Sequence, residues 1–189
     1  MLGRLRLFKI HLISITSVFI IGCTSVQAKP DHNQCVGNTK PPSLFSNSLQ
    51  PIDDPELLIK ALGKPLTGSL CQGRVYEVTE DFIISRAWNS TNENSKFGSW
   101  WAFKKPTGLI SKYRKNSEIC YQWSPLDTLI SCTIIKGSKI VIGTGQSAKC
   151  SDYLQYPTSK TKQIYIDQST IKNALINCTT MKENFTWVN

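Results

Sequence analysis

Only two histidines occur in the 189 residues, His11 and His32, and both precede the body of the chain. A Ser-His-Asp or Cys-His nucleophile pair is therefore excluded, because the folded region has no imidazole base. None of the seven cysteines belongs to a C-x-x-C pair, so with so little histidine a Cys/His zinc centre is excluded as well. Gly143-Thr144-Gly145 makes no phosphate loop, since neither a Gly-Lys-Ser/Thr run nor a helix start follows it. Acidic residues are few and scattered: Asp152 and Asp167 stand without obvious partners, and Glu77 and Glu80 lie at a strand end and its turn. Blocks of basic charge are absent too. The formal charge is +9, leaving about +6 once Arg4, Arg6 and Lys9 of the leader are set aside, and the excess is spread along the chain. A dedicated nucleic-acid arm is thereby excluded, while a solvated basic face or an anionic ligand is not.

The N-terminus is an export leader. Arg4, Arg6 and Lys9 form the positive region, Leu12 to Ile21 the apolar core, and Val26-Gln27-Ala28 a small-residue exit before Lys29. The apolar run is too short for a good membrane span. Ile20-Ile21-Gly22-Cys23 also resembles a bacterial lipobox, so two outcomes are open: a secreted or periplasmic protein, or a lipoprotein anchored through Cys23. Both place the chain in an oxidising compartment. With Cys23 set aside, six cysteines remain, an even set that reads as up to three disulfides whose connectivity the sequence leaves open, with Cys120–Cys132 the expected bridge because the two flank one short apolar segment. Three N-x-S/T sequons occur, at Asn89, Asn177 and Asn184.

Residues 29–53 read as an extended arm pinned by Cys35, and residues 54–189 as a single domain. Asp53-Asp54-Pro55 predicts a helix start, with Leu57, Leu58, Ala61 and Leu62 on one face and Gly63 at its end. Alternation then predicts strands over Arg74–Val78 and Phe82–Trp88, a short one at Trp100–Phe103, and a helix over Leu109–Glu118. Leu129–Ile135 and Ile140–Ile142 read as a hairpin closed by 136–139, Gly143–Gln146 as a glycine-rich loop, Gln163–Ile166 as a strand, and Ser169–Ile176 as a last short helix. These elements make an α+β fold with a mostly antiparallel sheet, bent or split, stapled by disulfides.

The chemistry left to such a chain rests on arginine, aromatic and amide groups. Asp81–Phe103 carries an apolar run ending in Arg86 and Trp88, a polar loop, and Gly98-Ser99-Trp100-Trp101. Arginine grips phosphate through paired N–H groups and indoles stack on planar cations, so this stretch suits an anionic, ring-bearing ligand. Equally it suits a hairpin with a heavy core, in which Arg86 is a surface ion-pair residue and Gln163 an outward strand residue.

In the order of these residues the chain resembles the ADP-ribosyltransferase and NAD-glycohydrolase toxin superfamily. The resemblance implies an ADP-ribosyltransferase-like fold with NAD as substrate and no metal. It gives Arg86 to the NAD phosphates, Ser99 of Gly98-Ser99-Trp100-Trp101 to the nicotinamide pocket, and Gln163 of Lys162-Gln163-Ile164-Tyr165 to the scissile ribose. Trp88, Trp100, Trp101, Tyr113 and Arg114 are then the ligand-binding neighbours. Because Gln163 stands where a transferase has glutamate, hydrolysis of NAD is favoured over transfer to a protein acceptor in a target cell. The reading from a different class is a non-catalytic exported lipoprotein, inhibitor or binding module.

Overall fold

The computed structural model describes residues 34–181; the leader, His32, Cys23 and the Asn184 sequon lie outside them. Two antiparallel sheets face one another across a single apolar core. The larger holds, from edge to edge, β1 (Leu49–Pro51), β2 (Leu70–Val78), β6 (Lys139–Gly145), β9 (Lys162–Tyr165) and β4 (Trp100–Trp101). The smaller holds β10 (Leu175–Met181), β5 (Thr128–Ile134) and β3 (Phe82–Trp88). A separate two-stranded ribbon pairs β7 (Ala148–Lys149) with β8 (Gln155–Tyr156). The expected α+β class with mostly antiparallel sheets and a few short helices is what the chain adopts.

The two sheets are joined at one corner. Beyond β4, Ala102 bridges to Ser85 of β3 through two backbone hydrogen bonds of 2.8 and 3.0 Å. Away from that corner the core fills the gap with Tyr76, Val78, Ile140, Ile142, Trp101 and Ile164 from one sheet, and Ile84, Trp88, Ile130, Ile134 and Leu175 from the other. Helix α1 (Pro55–Ala61) covers the outer face of the larger sheet, laying Leu57 and Ala61 on Val75 and Val141. Asp54 caps it by accepting from the Leu57 N–H at 3.1 Å, and Pro55 takes the first turn, where a missing N–H costs nothing.

Four expectations are corrected. The apparent hairpin is a crossover: β5 pairs with β3 and β10, while β6 pairs with β2 and β9, so the turn at 136–139 carries the chain from one sheet to the other. That turn is held by β2, with Gly137 N–H donating to Val78 O at 2.7 Å and Val78 N–H to Ser138 O at 2.9 Å. Gly143-Thr144-Gly145 is the end of β6, a strand covered on both faces, by the core and by α1. Residues 29–53 are, over their described part, folded into the domain, since β1 pairs with β2 and Phe45 packs on Phe82 and Phe103. Lastly, the bridges are Cys35–Cys71, Cys120–Cys150 and Cys132–Cys178, and Cys120–Cys132 does not form. Cys132 points from β5 into the smaller sheet, where β10 is its neighbour, while Cys120 lies in a loop against the β7–β8 ribbon.

The expected helix after Leu109 is α2 (Ile110–Asn116), and the last helix shortens to α3 (Ile171–Ala174) before β10. Three closed disulfides fit an extracellular or periplasmic protein. Among the described residues no helix is long and apolar enough to cross a membrane.

Candidate functional site

Beside this corner α2 and the loop after it help to enclose a cavity. The cavity, of about 390 Å³, is lined by Arg86 from β3, Trp100 and Trp101 from β4, Gln163 from β9, and Tyr113 and Glu118 from α2 and that loop. Five of the eight side chains expected to form a site thus converge: Arg86, Trp100, Trp101, Tyr113 and Gln163. Three stand apart. Ser99 does not line the cavity; its hydroxyl donates to Gln168 Oε1 at 3.4 Å. Trp88 is buried in the core, with Lys96 over its ring. Arg114 is spent on structure, donating to the carbonyls of Cys120, Ser124 and Pro125 at 3.2, 2.6 and 3.0 Å.

Arg86 follows the strand alternation, which places it on the core side with Ile84 and Trp88. Its guanidinium lies 5.6 Å from the Trp101 ring centroid and against the Cα of Gly98, where any Cβ would collide with it. The loop before β4 thus needs glycine for arginine to fit. Neither Nε nor Nη1 of Arg86 has a hydrogen-bond partner, although both are shut off from solvent. Burial lowers its pKa to about 10, so it stays charged at neutral pH. Trp101, buried in the core, is the support for this cation, while the half-buried Trp100 turns to the opposite face of β4, packs on Tyr165 and is the more exposed of the two rings that line the cavity. Burial pushes the Tyr113 hydroxyl up to about 12, against the opposing pull of Arg86.

Glu118 is the residue that sequence reasoning missed. It follows α2 at the position where a helix commonly ends on glycine: Ile119 N–H returns to Arg114 O at 3.0 Å, Ser117 N–H to Tyr113 O at 3.0 Å, and Glu118 takes the left-handed φ of 49°. A glutamate with that backbone is strained by roughly 1–3 kcal/mol. The turn delivers its carboxyl to the Cα of Gly145 on β6, where a Cβ would occupy the same space. Gln163 Nε2 donates to Glu118 Oε2 at 2.9 Å, while Oε1 is buried without a partner. Burial raises the acid to about 8, with the nearby polar groups of Ser159 and Gln163 pulling the other way. Glu118 is therefore mostly protonated at neutral pH. A helical segment ending in Asn-Ser-Glu-Ile-Cys with no glycine to stop it was the available signal.

A buried cation and a buried acid, each with unfilled hydrogen-bonding capacity, share one cavity without pairing. Such an arrangement costs stability unless something else completes it, and it can take an anion at Arg86 and a hydroxyl or cation at Glu118. Among the described residues no group of three His, Cys, Asp or Glu side chains gathers to hold a metal ion. Comparison of the chain with models of protein families, with curated proteins and with solved structures found no match.

Proposed function

We propose that this protein is an exported enzyme that binds NAD in the cavity beside α2 and cleaves its nicotinamide–ribose bond. The observation that supports this reading is the shared cavity of Arg86 and the Glu118–Gln163 pair, one an unpartnered guanidinium and the other a carboxyl held by an amide. Its volume falls within the range of small-molecule sites. Arg86 takes a phosphate of the ligand, and Trp100 stacks on the nicotinamide. Glu118, positioned by Gln163, faces the ribose, supplying the carboxylate that the amide of Gln163 cannot.

In this mechanism the positive nicotinamide ring draws the Glu118 proton off as it binds, since a nearby cation favours the carboxylate. As the C–N bond breaks, its electron pair leaves with neutral nicotinamide, and the carboxylate stabilises the ribosyl cation that forms. Water then attacks the anomeric carbon and gives up a proton, and the products are nicotinamide, ADP-ribose and H⁺. Transfer to a protein acceptor follows the same course with a side-chain nucleophile in place of water.

The test is nicotinamide release from NAD by the purified exported chain with its disulfides intact. Turnover that is lost in Arg86→Ala and in Glu118→Gln supports the reading. Binding without turnover favours the exported binding-module alternative, and no binding removes NAD altogether.

A further inference from the structure

Trp123 lines the same cavity, yet it is 50% exposed, unlike the buried Trp88 and Trp101. The loop that presents it is fastened from several sides. Buried Arg114 holds the carbonyls of Cys120, Ser124 and Pro125 around it, and the Trp123 N–H donates to Cys120 O at 3.1 Å. The Cys120–Cys150 disulfide ties the loop to the β7–β8 ribbon, and Gln122 Nε2 donates to Cys150 O at 2.8 Å. One end of the indole rests on Gly68, close to where a Cβ there would stand, at 3.0 and 3.1 Å. An indole half in solvent gains little from burial, but one held in a fixed pose at a cavity mouth is a ready stacking surface.

We infer that Trp123 is a stacking platform for a second ring, so that the site takes a dinucleotide in preference to a mononucleotide. This rests on the reading of the cavity as an NAD site. One ring of the ligand lies inside against Trp100, Arg86 holds the phosphates, and the adenine lies outside on Trp123. Base–aromatic stacking is sequence-tolerant and strong enough to set such a preference. Arg114 is then a positioning residue for the platform, which explains why a buried guanidinium is spent on three loop carbonyls.

The experiment is calorimetric titration of the disulfide-intact exported chain with NAD and with nicotinamide mononucleotide, in wild type and Trp123→Ala, with melting temperature as the check on folding. Wild type is expected to favour NAD, and Trp123→Ala to weaken NAD binding by roughly 5- to 150-fold, the range stacking supplies. The ratio of the two affinities then falls towards one, and Trp123→Phe restores most of it. Equal weakening of both ligands would mean that Trp123 only shapes the cavity and would overturn the inference. An unchanged ratio overturns it too, while leaving the NAD reading in place. If wild type binds neither ligand, the NAD reading itself is wrong and the platform falls with it.

Discussion

In the groove between α1, the 136–139 turn and α3, Lys139 bonds Asp54 at 3.0 Å and Lys60 bonds Asp167. In the cavity beside α2, Arg86 and Glu118 both line the wall with no ion pair between them. The groove carboxylates are held below their ordinary range by lysine hydrogen bonds, Asp167 to about 2 with further help from Ser169. In the cavity burial dominates and works the other way, taking Arg86 down to about 10 and Glu118 up to about 8. Paired charges on an open surface are screened by water and salt and decide little. A cation and an acid buried with unfilled hydrogen bonds oppose folding, which is what makes this cavity the candidate site.

Mutation can break this contrast. The largest effect is expected from Arg86→Ala, which should lower NAD turnover by roughly a thousandfold, the scale of losing a buried charged contact. Its melting temperature should hold or rise, because the guanidinium has partners missing in the free protein; a marked fall would show that Arg86 is structural after all.

Next in size is the pH dependence of stability. Between the ordinary glutamate value of 4.5 and about 8, folded Glu118 keeps a proton that the unfolded chain has released. Its contribution is therefore fully present below 4.5, declines as pH rises to about 8, and is level above that. Across this window the loss is of the order of several kcal/mol. Arg86 is charged throughout the window and adds no slope. Denaturant unfolding from pH 5 to pH 9 should show the decline in wild type and a flattened profile in Glu118→Gln; parallel profiles would rule out the buried acid as the source.

Glu118→Gly sharpens the point in the opposite sense. It relieves the left-handed backbone and should stabilise the fold by about 1–3 kcal/mol while abolishing turnover, since strain and function share the residue. Unfolding midpoints and nicotinamide release measured on the same sample would show whether the two effects separate. The smallest effect belongs to Lys60→Met, which removes an exposed groove pair and should leave both midpoint and turnover unchanged.

Much of this was legible in the residues. The Asp54 cap and Pro55 start α1 as their types dictate, and β3 follows the alternation over Phe82–Trp88. Of the three residues that the resemblance placed at the chemistry, Arg86 and Gln163 line one cavity and Ser99 does not. Gln163 does face away from the core, as alternation allowed, but there its amide donates to Glu118 instead of meeting only solvent. The crossover between β5 and β6 was hidden because a turn between two apolar runs has the same local sequence whether the runs pair or part. Their partners are chosen by what covers each face, and β6 needs α1 on one side and the core on the other. Ser99 was misplaced for a related reason: it neighbours Trp100 in sequence, but its carbonyl accepts from Ile166 N–H just beyond β9 and its hydroxyl turns to Gln168.

By itself the sequence determined the even set of six cysteines beyond Cys23 and the α+β class with its mostly antiparallel strands. Those follow from composition and short-range periodicity. Tertiary structure alone decided the three pairings of the cysteines, the split of the strands into two sheets, the retirement of Arg114 to loop support, and the meeting of Glu118 with Gln163 across Gly145. Apart from Arg114, whose carbonyl partners lie 6 to 11 positions on, each of these joins residues thirty or more positions apart or depends on space left by a missing Cβ, and neither separation nor space is written in any local pattern.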